Sequence, residues 1–408
     1  MQPIIIEKPY RFQPPMRSTR WSRLCKKLNL HRLYLRRYEG IVDFEMRGAE
    51  RLRASLAEGH GIILVPNHSR NADPIVIGDL ARTVRCDLFF MASWHLYHQS
   101  AFLRWAIHRL GAFSVNRETA DRQAVDFATE VVANAERPLV IFPEGAMTRT
   151  NDHLHALLEG IEVIARVAAR RRQKVHPGGK VVVHPVAIKY RFGGDVAAAV
   201  DPVLTKIEAR FAWPAQRHLP LVERITRCAD AVLCLREIQY AGKPGTGTVG
   251  ERQQALIERL LGPLEVEWLG AAGSGAVVPR VKELRLKIVP DLAEGRADPK
   301  ERARRWRHLA DIYLAQQISC YPESYLESLP SIDRAIETVE RIEDDLTDHT
   351  RVHRPWTAVV QVGNPIAVAT DRGAPGTTLL SQVEQALRGT MAELAAESPL
   401  CRPGPAPP

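Results

Sequence analysis

His68 and Asp73 stand five positions apart in the stretch Leu64–Pro74. A carboxylate bonded to one imidazole nitrogen fixes the tautomer and stabilises the imidazolium that forms when the other nitrogen takes a proton. Such a pair is a general base toward a hydroxyl. On one regular helix the two side chains would point about 140° apart, so they meet only across a turn. That puts His68 on a loop and Asp73 at the opening of the next helix. Asp73-Pro74 agrees, since Asp suits an N-cap and Pro the first helical position. Taken alone, the spacing also fits an Asp that merely caps a helix beside an ordinary loop histidine. Three further residues add to it. Arg117 offers a planar fork for a phosphate or carboxylate. Glu144 suits hydrogen bonds from ligand hydroxyls or a nearby Arg, and Gly145 lets backbone approach a ligand closely.

Each of these groups follows a short apolar run that reads as a buried strand: Ile62–Val65 before His68, Ala112–Val115 before Arg117, Pro138–Phe142 before Glu144. Asp87–Ala92 and Lys180–Ile188 read as strands too. Helices are predicted over Pro74–Ala81, Gln99–Leu110, Thr119–Ala135 and Leu154–Arg172, with a strand or short helix over Glu39–Arg53. The alternation predicts an α/β fold with a mostly parallel sheet flanked by helices. Ligands of such sheets gather beyond the carboxyl ends of the strands, where all these groups stand.

The chain has 408 residues, 45% hydrophobic and 25% charged, with net charge +9 and pI near 9.4. That balance favours anionic partners: a phosphate ester, coenzyme A, an acidic membrane surface or nucleic acid. Nucleic acid is disfavoured because the basic residues lack interleaved aromatics and no docking motif occurs. Six scattered cysteines suit a reduced, cytoplasmic setting and no structural zinc site. His95/His98 and His153/His155 lack a convergent carboxylate pattern, so no metal is expected. No signal peptide and no run of spanning length is visible. Residues 1–40 form a basic N-terminal segment in which Trp21, Leu24, Leu28 and Leu35 recur among Arg17, Arg20, Arg23, Lys26, Lys27, Arg32, Arg36 and Arg37. This amphipathic pattern suits peripheral contact with an anionic membrane on its cytoplasmic face. It equally suits a solvated face whose apolar stripe packs on the core.

Four ordered blocks resemble those of the glycerolipid acyltransferases, the lysophosphatidic acid acyltransferase-like enzymes. They are Asn67-His68-x4-Asp73, Gly111-x-Phe113-x3-Arg117, Phe142-Pro143-Glu144-Gly145 and Val183-His184-Pro185-Val186-Ala187. The resemblance implies that His68 and Asp73 are the catalytic pair and Arg117 a ligand of acceptor phosphate. It places Asn67 and the Glu144-Gly145 block at the substrate and Pro185 at the floor of the site. It also implies transfer of a fatty acyl group from acyl-CoA or acyl carrier protein to a lysophospholipid or glycerol-3-phosphate-like hydroxyl, with the thioester as substrate and no cofactor. One departure stands out. The family continues Thr-Arg after Glu-Gly, whereas here Ala146-Met147 intervene before Thr148-Arg149, so Arg149 becomes the candidate replacement cation. The alternative function is a non-catalytic, membrane-associated lipid-binding scaffold of the same fold.

The expected organisation is a catalytic core over 41–200, a mostly helical insertion or lobe over 201–351, a closing strand and helix over 352–397, and a disordered tail over 398–408. Helices are predicted over Leu219–Glu237 and Glu251–Leu261, then from Asp298-Pro299 and from Ser331. Lys282–Ile288 is ambiguous between strand and helix. In the Ser331 helix, Glu337, Glu340, Asp344 and Asp345 read as a solvated acidic face. Trp356–Val362 regains strand character before Gly363-Asn364-Pro365-Ile366, which resembles the late closing strand of similar acyltransferases, and a helix follows near Leu379–Ala395.

Overall fold

The computed structural model describes residues 7–119, 121–326, 330–370 and 378–401. Among them lies one eight-stranded sheet. Its strands are β1 (Ile41–Arg47), β2 (Gly61–Pro66), β3 (Phe89–Ser93), β4 (Ala112–Val115), β5 (Leu139–Val140), β6 (Val181–Phe192), β7 (Trp356–Val362) and β8 (Ile366–Ala367). They run in the order β1-β7-β6-β2-β5-β3-β4, with β8 beside β6. Only the pairings of β6 with β7 and β8 are antiparallel. The mostly parallel α/β architecture is therefore as expected, and the late strand is built deep into the sheet, between β1 and β6.

Alternation along β2 explains the two apolar layers. Successive side chains of a strand point to opposite faces. Ile62 and Leu64 join Val76, Ile77 and Leu80 of helix Asp73–Val84 on one side. Ile63 and Val65 join Ala128 and Val132 of helix Arg122–Ala133 and Ile164 of helix Gly160–Val175 on the other. Gly61 admits no side chain, because a Cβ there would lie 2.2 Å from the Val132 carbonyl oxygen.

Several predicted boundaries shift. The run Pro138–Phe142 pairs as a strand only at Leu139–Val140, since Phe142 leaves the ladder and turns onto the His68 ring, centroids 4.2 Å apart. The helix predicted from Leu154 begins at Gly160, because the preceding loop bonds elsewhere: Asn151 to Tyr190, and the His155 amide to Glu144. The ambiguous Lys282–Ile288 lies inside helix Val277–Ala293. The boundary at 200 is crossed by helix Val196–Arg210. Ordered chain also continues past 398, where the Ile332 amide donates to the Pro399 carbonyl and the Cys401 amide to that of Pro330. The rest of that tail lies outside the described residues.

The helices of 201–351 split into two groups. Val196–Arg210, the first half of Leu221–Ala241 and Ile332–Thr347 pack on the sheet through Val203, Ile225, Ile336 and Val339. Helices Val249–Leu269, Val277–Ala293 and Pro299–Ser319 close a separate core around Leu261, Leu284, Ile288 and Ile312.

Candidate active site

His68 lies on the loop after β2, and Asp73 is the first residue of helix Asp73–Val84. Ala72, not Asp73, occupies the N-cap position. The Asp73 carboxylate instead turns back into the loop. Its Oδ2 meets His68 Nδ1 at 2.8 Å and accepts from the Arg70 amide at 2.9 Å, while Oδ1 accepts from the Tyr190 hydroxyl at 2.5 Å. Asp73 is fully buried and the His68 side chain one-fifth exposed. With Nδ1 engaged, Nε2 is the nitrogen left for a substrate proton.

The His68 backbone is held at both polar atoms. Its amide donates to Glu144 Oε1 at 2.7 Å, and its carbonyl accepts from the amide and hydroxyl of Thr148 at 2.9 and 3.1 Å. Glu144 accepts from the His155 amide with its other oxygen, at 3.0 Å. Thus Glu144 braces the histidine loop instead of facing ligand hydroxyls or an Arg. Burial pushes its carboxyl up to about 8 despite the two amide donors.

Asn67, expected at the substrate, is likewise turned inward. Its side-chain amide donates to the Ile188 carbonyl and accepts from the Ile188 amide, at 3.0 and 2.7 Å. Asn151 does the same at Tyr190, at 2.6 and 2.9 Å, and Asp333 accepts from the Phe192 amide at 2.7 Å. Where β2 has ended, these three side chains take the place of a strand along alternate residues of β6. Pro185 lies in β6 opposite Val65, with its carbonyl bonded to the Gly363 amide. Gly145 has φ +67°, and the atom that a Cβ would meet is Leu158 Cδ1 at 2.4 Å, so its glycine serves turn geometry and packing.

Arg117, after β4, is exposed and donates to the Gly145 carbonyl, which links it to the Glu144 brace. Arg149 (φ +61°) is not an uncommitted cation, since its guanidinium lies 2.6 Å from Asp344. Glu337, Glu340 and Asp344 of helix Ile332–Thr347 accordingly face Arg70 and Arg149 and not water, while Asp345 pairs with Arg341 of the same helix. Arg70 pairs with Glu340 at 3.0 Å, its guanidinium 4.3 Å above the Trp356 ring. Glu337, 2% exposed, accepts from the Asn151 amide and the Tyr325 hydroxyl, and burial pushes its carboxyl up to about 8. Arg70, Tyr190, Thr148 and Asn151 are thus site residues that the sequence reading omits. Tyr190 had one available signal, its place two residues beyond Ile188 on the face of β6 that meets helix Asp73–Val84.

Among the described residues no group of three or more His, Cys, Asp or Glu is placed to hold a metal ion. Nor is any described helix long and apolar enough to cross a membrane. Apolar side chains do collect outside the N-terminal segment. Trp21, Leu24 and Leu28 of the Arg20–Lys27 region are exposed, and Trp21 packs on Trp105 of helix Ala101–Arg109 with ring centroids 5.1 Å apart, beside exposed Phe102.

Comparison with known proteins gives a consistent picture. The family model described as Acyltransferase matches residues 43–189. Over 139 residues the chain is 25% identical to a 1-acyl-sn-glycerol-3-phosphate acyltransferase of Streptococcus pneumoniae (strain ATCC BAA-255 / R6), covering 34% of this chain and 50% of that protein. The chain therefore spans about half the length of that relative. No solved structure gives a significant match.

Proposed function

We propose that the protein moves a fatty acyl group from a thioester of coenzyme A or acyl carrier protein to the hydroxyl of a lysophospholipid or glycerol-3-phosphate-like acceptor, a reading supported by the Acyltransferase match over residues 43–189 and the similarity to a 1-acyl-sn-glycerol-3-phosphate acyltransferase. The observation that carries this is the 2.8 Å contact of His68 Nδ1 with Asp73, on a loop whose backbone is pinned by Glu144 and Thr148. His68 Nε2 takes the acceptor's hydroxyl proton as the oxygen attacks the thioester carbonyl, and Asp73 offsets the charge of the imidazolium. The C–S bond then breaks, and the imidazolium returns its proton to the leaving thiolate. No acyl-enzyme is needed. Ser69 is only 1% exposed, which does not suit it to carry an acyl group.

The test is transfer of radiolabelled acyl groups from acyl-CoA and acyl carrier protein to lysolipids and glycerol 3-phosphate by wild type and His68→Ala. Loss of about 10²–10⁴-fold is expected for the general-base part. Equal activity in both proteins would refute the mechanism, and no transfer by either would favour the scaffold function.

The same proposal includes docking on an anionic membrane through the N-terminal segment. The exposed Trp21, Leu24, Leu28 and Phe102 beside Arg20, Arg23 and Lys27 support it, because basic residues flanking exposed aromatic and aliphatic side chains favour a lipid interface. Co-sedimentation with phosphatidylglycerol vesicles, abolished by Trp21→Ser/Phe102→Ser, is expected. Undiminished binding by that variant would remove this part.

A further inference from the structure

A cavity of about 590 Å³ opens beyond the carboxyl ends of β3 and β4. The residues following those strands form one wall, with His95 and Arg117 prominent. The other wall is helix Val277–Ala293, which lies outside the family match and brings in Arg285. Lys8 of the N-terminal segment closes one side.

Three facts bear on its occupant. First, the cavity is linked to the His68 loop through Arg117, which lines it and donates to the Gly145 carbonyl, next to the Glu144 that accepts from the His68 amide. Second, guanidinium groups from two separate parts of the chain converge there. Arg117 and Arg285 both act on His95, whose imidazole is pushed down to about 3 by burial and then by these two cations, so it stays neutral at physiological pH. Third, Arg285 is oriented by a two-oxygen contact with Glu118, its Nε 3.1 and 3.2 Å from the two carboxylate oxygens. Convergent guanidinium forks match the oxygens of a phosphate.

The third sequence block lacks the cation that the family places after Glu-Gly, and Arg149, paired with Asp344, is not among the residues lining this cavity, whereas Arg285 is. We propose that Arg285, carried by the helical lobe, is a specificity-determining residue that joins Arg117 in binding the phosphate monoester of the acyl acceptor. This rests on the acyltransferase reading above. It gives the helical lobe a direct part in choosing the acceptor. The phosphates of coenzyme A share the same chemistry, and the cavity is assigned to the acceptor because Arg117, which lines it, is bonded to the Gly145 turn that follows Glu144, the residue holding the His68 amide.

The test compares full-length Arg285→Gln, Arg285→Lys and Glu118→Gln. Calorimetric binding of glycerol 3-phosphate without donor is measured, together with KM for lysophosphatidate, for 1-monoacylglycerol and for acyl-CoA. Arg285→Gln should weaken glycerol 3-phosphate binding and raise the lysophosphatidate KM about 10–100-fold, the worth of a lost hydrogen bond to a charged group. kcat, the monoacylglycerol KM and the acyl-CoA KM should stay within about threefold. Glu118→Gln breaks the same ion pair but keeps the guanidinium, so acceptor affinity should hold or improve. Arg285→Lys should fall between Gln and wild type. If Glu118→Gln weakens the acceptor as much as Arg285→Gln, the pair is only a latch and the proposal fails. It fails equally if only the acyl-CoA KM moves, or if transfer occurs only to phosphate-free acceptors. Arg285-dependent phosphate binding by a protein that transfers no acyl group would instead overturn the acyltransferase reading and keep this site.

Discussion

Replacing Asp73 by Asn removes one charge while preserving shape, and the structure dictates how the new amide sits. Asp73 accepts three hydrogen bonds, two of them at Oδ2 from His68 and the Arg70 amide. The Arg70 amide cannot accept, so the Asn oxygen must face it, and that orientation also presents the oxygen to His68. The Asn nitrogen then faces the Tyr190 oxygen, which accepts it. Tautomer and ring position are therefore kept, and only the charge opposite the imidazolium is lost. Two unit charges about 4 Å apart are worth ~4 kcal/mol at an effective dielectric near 20, an upper bound. Asp73→Asn should accordingly lower kcat by ~10²–10³-fold, with acceptor KM within about threefold. The assay is steady-state acyl transfer by Asp73→Asn, His68→Ala and the double variant. If Asp73 acts only through His68, adding Asp73→Asn to His68→Ala costs nothing more. Retention of more than about a tenth of wild-type kcat by a folded Asp73→Asn, or a full further loss on the His68→Ala background, would refute the reasoning.

Asn67→Ala should cost about 2–4 kcal/mol of stability by stranding both buried polar groups of Ile188. An unchanged thermal midpoint with a raised acceptor KM would instead restore Asn67 to the substrate. Arg70→Met strands Glu340 and Glu337 beside the site and should destabilise by about 3–5 kcal/mol, read from denaturant unfolding. A midpoint like that of wild type would count against a buried ion-pair clamp. The Glu144 carboxyl is raised from 4.5 to about 8, so the folded state binds its proton more tightly than the unfolded chain. Its contribution is full below about pH 4.5 and is lost as pH rises toward 8. Glu144→Gln has no such proton and turns an NH2 toward a backbone donor, so it should be less stable than wild type at pH 5 by about 1–3 kcal/mol. That gap should narrow by pH 8 in thermal melts, and a gap that widens with pH would contradict the assignment.

What could be read from the sequence follows from the range of the interactions involved. His68, Asp73, Arg117 and Glu144 each follow a short apolar run, and a strand end is a local signal, so their clustering at the carboxyl edge was legible. Asn67 and Glu144 carried the right residue types, but their tasks depend on Ile188, far along the chain, and on the amides of His68 and His155. The Ser331 helix shows the same limit more sharply. Its start at Ser331 is legible, because a helix cap is a local signal. Glu337, Glu340 and Asp344 read as solvated because Arg70 and Arg149, their partners, lie in a distant part of the sequence. A charged face reveals the helix but not what faces it.

The position of β7 bears on when the candidate site can exist. β1 pairs with β7 among the described strands and β6 borders it on the other side, yet β7 begins at Trp356, long after β6 ends at Phe192. At ~5–20 residues per second, a ribosome needs roughly 8–30 s to cover that interval. During that time His68, Asp73, Arg117 and Glu144 have all been synthesised, while β1 and the far half of β6 wait as open strand edges. The helix that clamps Arg70 and Arg149 also arrives only near the end of this wait. A nascent chain stalled anywhere within the helical lobe would hold all four of these residues and no finished sheet to align them. Open strand edges of that kind are templates for wrong pairing, so the helical lobe sets the length of the chain's most aggregation-prone interval.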